Sequence, residues 1–456
     1  MDIIQQLEQG IIQFSNFLWG SPILIVLVGG GLYFLIYSQF IPFRYLKHSI
    51  DILRGKYDDP NDPGDISHFE ALSSALAATI GMGNISGVAI AIVTGGPGAL
   101  FWMWVCAFVG MATKFFTCTL AIMYRGKDSE GNPEGGPMYT IVNGLGKSWY
   151  PLAAFFCIAT LFGAMPLFQA NQLTQVFRDV LFIPNGWIAA EAKSSFNLVS
   201  GIVLAVLVSF VIFGGIKRIA NYAAMLVPLM VVLYVVSVLF IIAVNYQNIP
   251  NAVWIIFYDA FTGKAVLGGS LGMIIIIGVR RAAFSNEAGI GTAPMMHGAA
   301  KTQEPVREGL VAMLGPAIDT LVVCTMTALA IIVTDVWKLK DSNGVTLTAR
   351  AFEHSMPGFG VYVLLVCVFI FALTTLFSYS YYGTKALSFL VGAQYKYLYN
   401  YLYIASIVYG AVASIEVAFS IIDAMYALMS IPTVLSALLL SPKVMAEAKR
   451  YFSQLQ

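Results

Sequence analysis

Charge is what this 456-residue chain has least of. Asp, Glu, Lys and Arg together make up 11%, against 58% hydrophobic residues, where a soluble domain carries about 25% charged residues. That shortage excludes an ordinary water-soluble fold and points to a single membrane bundle. The net charge of +1 gives no hint of nucleic-acid binding. Cys106, Cys118, Cys157, Cys324 and Cys367 all fall in apolar runs, without CxxC or metal-type spacing. They read as small buried hydrophobes, not a disulfide framework. The opening MDIIQQLEQG lacks the basic start of a signal peptide, so the first apolar run is expected to stay as an anchor. His48, His68, His297 and His354 lie in loops or at the ends of apolar runs. Ser86, in Asn84-Ile85-Ser86-Gly87, therefore has no base at membrane depth, which argues against an intramembrane enzyme.

Long apolar runs are what the chain has in abundance. A helix crosses the hydrocarbon core with roughly 20 residues. Runs of that size occur near 21–42, 69–93, 98–124, 149–180, 197–214, 219–245, 251–283, 308–334, 357–386, 397–415 and 416–440. The expectation is an all-α polytopic membrane protein with eleven transmembrane helices in the plasma membrane. Lysines and arginines favour the cytoplasmic side. With the N-terminus outside they divide 18 to 5 in favour of the inside, counting Arg280 and Arg281 as inner. The C-terminus is then cytoplasmic. The organisation expected is an extra helix and amphipathic linker (1–68), a five-helix unit (69–245), its inverted copy (251–440) and a cytoplasmic tail (441–456).

Inverted repeats direct attention to matching flaws, because glycine-interrupted segments in the two halves mark a transporter's binding site. The leading helix of the first half contains Thr79-Ile80-Gly81-Met82-Gly83-Asn84, and that of the second contains Gly268-Gly269-Ser270-Leu271-Gly272-Met273. Each glycine costs about 1 kcal/mol relative to alanine inside a helix. In return, a break frees amides that suit a carboxylate and carbonyls that suit a cation. Close helix packing is the alternative use of such glycines.

Three further runs resemble the sodium–alanine/glycine symporter family: Gly95-Gly96-Pro97-Gly98-Ala99-Leu100-Phe101-Trp102-Met103-Trp104 up to Gly110, Glu134-Gly135-Gly136-Pro137-Met138-Tyr139, and Phe284-Ser285-Asn286-Glu287-Ala288-Gly289-Ile290-Gly291-Thr292-Ala293-Pro294. That family is similar in fold to the leucine-transporter type, with two inverted five-helix repeats and discontinuous first and sixth core helices. The resemblance implies sodium-coupled uptake of alanine or glycine. It implies substrate contacts at Thr79, Gly81, Met82, Gly83, Gln169, Gly272 and Met273. It implies sodium ligands at the carbonyls of Ala77 and Ile80 and the hydroxyls of Thr374 and Thr375. Asn84 is either a second sodium ligand or a brace for the break. Gln169 is preferred to Asn171 as the polar group of the third core helix.

Ionisable residues within or near the apolar runs are Lys114, Asp259, Asp319, Glu416 and Asp423, candidates for pairing, gating or coupling. Glu287 is expected on the inner side beside Arg280 and Arg281, as a gate residue or a solvated acid. Proton-coupled or sodium-independent amino acid transport is the rival reading. The run 219–245 holds no Lys, Arg, Asp or Glu that could replace the ion, so sodium is favoured. A channel is disfavoured, since two unlike broken helices do not make a symmetric filter.

Overall fold

The computed structural model describes residues 3–262, 271–339 and 344–455. The described residues form helices joined by turns and loops, with a two-residue antiparallel ribbon that pairs Gly126 with Glu134 and an isolated bridge between Ile66 and Ala300. Among the described residues, seven helices are long and apolar enough to cross a membrane, or nine if each of two bent pairs counts as one span. Apolar residues lie exposed along Lys193–Ile212 and Gly215–Val244, with Phe210 at 71% and Val232 at 61%. Surfaces of that kind suit lipid rather than water.

The elements that position the site are α1 (Ile3–Leu18), α2 (His68–Thr79), α3 (Val88–Gly95), α4 (Ala99–Met123), α5 (Leu167–Val176), α6 (Gly215–Val244), α7 (Ile249–Thr262), α8 (Leu271–Asn286), α9 (Thr292–His297), α10 (Pro305–Ala312), α11 (Gly360–Val391), α12 (Leu398–Val412) and α13 (Ile415–Ser453). Local sequence accounts for their ends. Ser67 and Glu70 form a reciprocal capping box at the start of α2, which satisfies two of its orphan donors. The first apolar stretch starts earlier than expected, with α1 packed against α13. Of the run 251–283, α7 is described to Thr262 and α8 from Leu271. The expected tail after residue 440 is a continuation of α13 to Ser453.

The two ends of the bundle carry different contacts. At one end Arg125 donates to the carbonyls of Pro63, Gly298 and Thr302. The same end holds the ion pairs Lys217–Asp65, Lys385–Glu134, Lys396–Glu130 and Arg450–Glu304. These are groups that the sequence reading places inside. At the opposite end Asp259, on α7, accepts from the Gly98 amide at 2.9 Å, and α8 packs against α3 and the start of α4. Arg280 and Arg281 sit on α8, before its break, and so belong to this second end. Moving them turns the 18-to-5 division into 16 to 7 without reversing it.

Candidate functional site

The first break begins where Thr79 ends α2. Ile80 is extended (φ −76°, ψ 93°), and the helix resumes at Gly83 with a bend of 53°. Gly81 and Gly83 do not adopt a left-handed backbone; they supply room. A side chain at Gly81 would strike the Thr375 hydroxyl and the Gln169 carboxamide, and one at Gly83 would meet Phe284 at 3.3 Å.

The amides freed here are already engaged. Gly81 N donates to Asn84 Oδ1 at 3.0 Å, and Met82 N donates to Gln169 Oε1 at 2.9 Å. Both acceptors are side-chain carbonyl oxygens, the type of atom a carboxylate would present. On the other side, Thr375 Oγ1 lies 3.0 Å from the Ala77 carbonyl and 3.0 Å from the Phe371 carbonyl of its own helix α11. Thr374 points about 100° away around the helix. Its hydroxyl bonds back to Ile370 and Phe371 and approaches Met230 Sδ of α6 at 3.6 Å. Thr79 also bonds back, to Ala75 O at 3.1 Å. Asn171 bridges instead to the end of α12, through Gly410 O and Ala413 O. Ser86 is bonded to Gln172.

A break follows α8, and the glycine-dense stretch at its start is only partly described. Gly268, Gly269 and Ser270 are outside the described residues. Gly272 and Met273 form the first turn of α8, where Met273 is 48% exposed. The chain leaves the helix only after Asn286, and α9 begins at Thr292. Between them Glu287, Gly289 and Gly291 have φ of +55°, +87° and +108°. Runs of positive φ cannot be helical, and a non-glycine there stores strain. The break therefore coincides with the run from Phe284 to Pro294. It also meets the first break, since Gly83 faces Phe284 and Ser285. The signal was present in the sequence as two glycines spaced by two, but without any indication of the backbone they would adopt.

Glu287 is buried at this break and not beside Arg280 and Arg281. Its carboxylate accepts from Thr292, Tyr379 and Tyr426, the last at 2.9 Å. Asp319 is the second buried carboxylate. It accepts from Asn84 Nδ2 and Ser285 Oγ, each at 2.7 Å, and from Thr320 Oγ1 at 2.8 Å. Asn84 thus ties the first break to Asp319. Lys114, buried on α4, faces Glu287 and Asp319 electrostatically. Arg280 pairs with Asp423 of α13 at 2.5 Å and also reaches Ser15 and Asn16. Arg281 stacks 4.4 Å from the Phe419 ring. Below it, Phe168, Phe284 and Phe419 form an aromatic wall, with ring centroids 4.7–5.6 Å apart. Glu416 stays at the first turn of α13.

The arrangement offers amides and a hydroxyl–carbonyl pair at one neutral point, with buried carboxylates beside it. The described residues hold no cluster of three His, Cys, Asp or Glu able to bind a metal. All five cysteines are buried and free. Hard oxygen donors without such a cluster suit an alkali cation better than a transition metal.

Comparison with known proteins points the same way. The sodium:alanine symporter family matches residues 4–456. The sodium/alanine symporter AgcS of Methanococcus maripaludis is 40% identical, over 96% of this chain and 95% of its own. An uncharacterized transporter of Haemophilus influenzae is 39% identical, over 99% and 97%. The probable sodium/glutamine symporter GlnT of Bacillus subtilis is 34% identical, over 99% and 92%. The crystal structure of MhsT in complex with L-phenylalanine shares the fold, with a TM-score of 0.60 at 13% identity over 85% of this chain and 93% of MhsT.

Proposed function

The chain belongs to the sodium:alanine symporter family, and from that premise we propose that it carries alanine and glycine into the cell together with sodium. It is a multi-pass membrane transporter and not an enzyme. The observation that carries the substrate reading is the convergence of the Gly81 and Met82 amides, the Ala77 carbonyl and the Thr375 hydroxyl at one buried point. In this proposal the substrate carboxylate replaces the Gln169 oxygen on the Met82 amide, and Gly83 adds its own amide. Sodium lies between the Ala77 and Ile80 carbonyls and Thr375. Thr374, turned toward Met230, braces α11 against α6. Asn84 is a brace, because both ends of its carboxamide are spent, on Gly81 and on Asp319. The aromatic wall limits the side chain the site accepts to that of alanine or glycine. Gly272 and Met273 lie at the outer mouth, away from the pocket.

The architecture we propose has eleven spans. The discontinuous α8–α9 and the short α12 complete the set of long and bent helices. Residues 1–68 precede two inverted repeats, 69–245 and 251–440, and residues 441–456 close the chain at the cytoplasmic face of the plasma membrane. The N-terminus lies outside, as the 16-to-7 charge division favours. Sodium binds first and orders the breaks, the amino acid follows, and the bundle rocks inward.

Reconstituted vesicles test this reading. Labelled alanine uptake should follow an imposed sodium gradient and be competed by glycine. Uptake that ignores sodium and follows a proton gradient would remove the sodium assignment. Strong competition by leucine would remove the small pocket.

A further inference from the structure

Three elements that the sequence separates widely meet at a single carboxylate near the inner end of the bundle. Glu308, on α10, has no exposed surface. One of its oxygens pairs with His68 Nδ1 and the other with His297 Nδ1, the latter at 2.5 Å. His68 is the first residue of α2, and His297 is the last of α9. These are the two half-helices that run from the breaks to the inner face. Both are thus pinned, at their far ends, to one group on a third helix. The chain around them is zipped as well: Lys301 N donates to Ile66 O at 2.7 Å, and Asp65 N donates to Ala299 O at 2.8 Å. Close by, α9 is further held by Lys385, whose ammonium donates to Met295 O at 2.9 Å and pairs with Glu134. A cavity of about 420 Å³ opens at this face, lined in part by Asp65, Glu134, Tyr381 and Lys385.

We propose that Glu308 is the lock of the inner gate, holding α2 and α9 together until the loaded protein turns inward. The proposal rests on the transport reading above. A buried carboxylate must be paired, and its bonds to two imidazoles are charge-assisted. Once α2 and α9 part, water from the inner face reaches the same carboxylate and replaces the lost partners. The lock is therefore strong when closed and releasable when wet, and it acts on both half-helices at once. Among the described residues the imidazole Nε2 atoms have no hydrogen-bond partner, and His68 Nε2 stands 4.0 Å from the Asp58 carboxylate, so the hydrogen bonds that hold the two rings there go to Glu308.

Glu308→Gln is the informative change, because glutamine keeps the shape and can still bond both rings if one imidazole changes tautomer. Spin labels on the full-length reconstituted protein, one replacing the exposed Phe69 of α2 and one replacing Lys301, four residues past the end of α9, report the distance between the inner ends of α2 and α9. In sodium without amino acid, Glu308→Gln should raise the long-distance fraction relative to the closed one by about tenfold, the scale of one charge-assisted hydrogen bond. Alanine exchange at equal sodium on both sides should persist while net gradient-driven accumulation falls. His297→Asn, which removes one arm, should give a smaller shift in the same direction and serves if Glu308→Gln folds poorly. Unchanged distance populations in both variants would overturn the lock. Failure of sodium-driven alanine uptake in the unaltered protein would instead overturn the transport reading, and the distance measurement would still decide whether Glu308 holds the two half-helices.

Discussion

The two breaks are built from different chemistry. The first is neutral: carboxamides of Asn84 and Gln169, a threonine hydroxyl and backbone groups, with glycines present for room. The second is charged and strained: Glu287 at φ +55°, flanked by left-handed glycines and ringed by hydroxyls. A neutral site can bind and release a zwitterion and a cation without carrying a fixed counter-charge of its own. A charged, strained turn is suited to switching between two arrangements, since strain persists only where the surroundings over-determine it. In the mechanism we propose, the contrast is a division of labour in which the first break recognises and the second moves.

Substitutions can break that division or sharpen it. The largest effect is expected at Gly81→Ala. Its methyl group would collide with Thr375 and Gln169, an overpacking that costs about 1–3 kcal/mol, or up to about 100-fold in apparent affinity. Near-normal alanine uptake by this variant would remove Gly81 from the site. Next comes Thr375→Ala, which should raise the sodium concentration for half-maximal uptake about tenfold, while Thr374→Ala changes it by less than about twofold. Equal effects at the two positions would refute the assignment of roles by direction. Glu287→Gln should act differently in kind. Maximal rate should fall about tenfold, with half-saturating alanine and sodium within about threefold, as for a step gated by conformation. A change confined to apparent affinity would collapse the distinction between the breaks.

The smallest effect lies outside both. His48, on the half-buried linker helix Leu46–Leu53, bonds Tyr451 OH at 2.8 Å. Burial holds its pKa below the ordinary 6.5. The neutral ring therefore contributes stability above pH 6.5 that is lost as pH falls through the depressed value. Amide exchange in residues 46–53 should speed up between pH 7 and 5 after correction for intrinsic rates, leaving the sodium dependence of uptake unaltered. Flat protection over that range would show the ring bears no such load.

Much of this was legible in the sequence, and the failures are specific. Apolar run length located most helices, because hydrocarbon thickness constrains it, and glycines inside such a run located the first break. Glycine density pointed to the stretch from Gly268, of which Gly268–Ser270 lie outside the described residues, and did not single out the break at Glu287, because density cannot distinguish glycines needed for close packing from glycines needed for positive φ. Gly289 and Gly291 are of the second kind. Thr374 and Thr375 read as an equivalent pair, yet one residue of helix separates a hydroxyl that faces Ala77 from one that faces Met230. Glu308 drew no notice because its partners lie 240 and 11 residues away, and no local pattern announces a contact of that span. Arg280 and Arg281, counted as inner in the sequence, meet Asp423 and Phe419 ahead of the break at Glu287, a placement that only the position of that break reveals.

The last helix has a mechanical meaning. α13 runs unbroken from Ile415 to Ser453, with Asp423 clasping Arg280 at one end and Arg450 clasping Glu304 at the other. Those two anchor points are about 40 Å apart along a single rod at 1.5 Å per residue. Pro432 and Pro442 lie between those clasps, and a tilt of the helix would act on both at once, which would make it a beam that couples the two ends of the bundle.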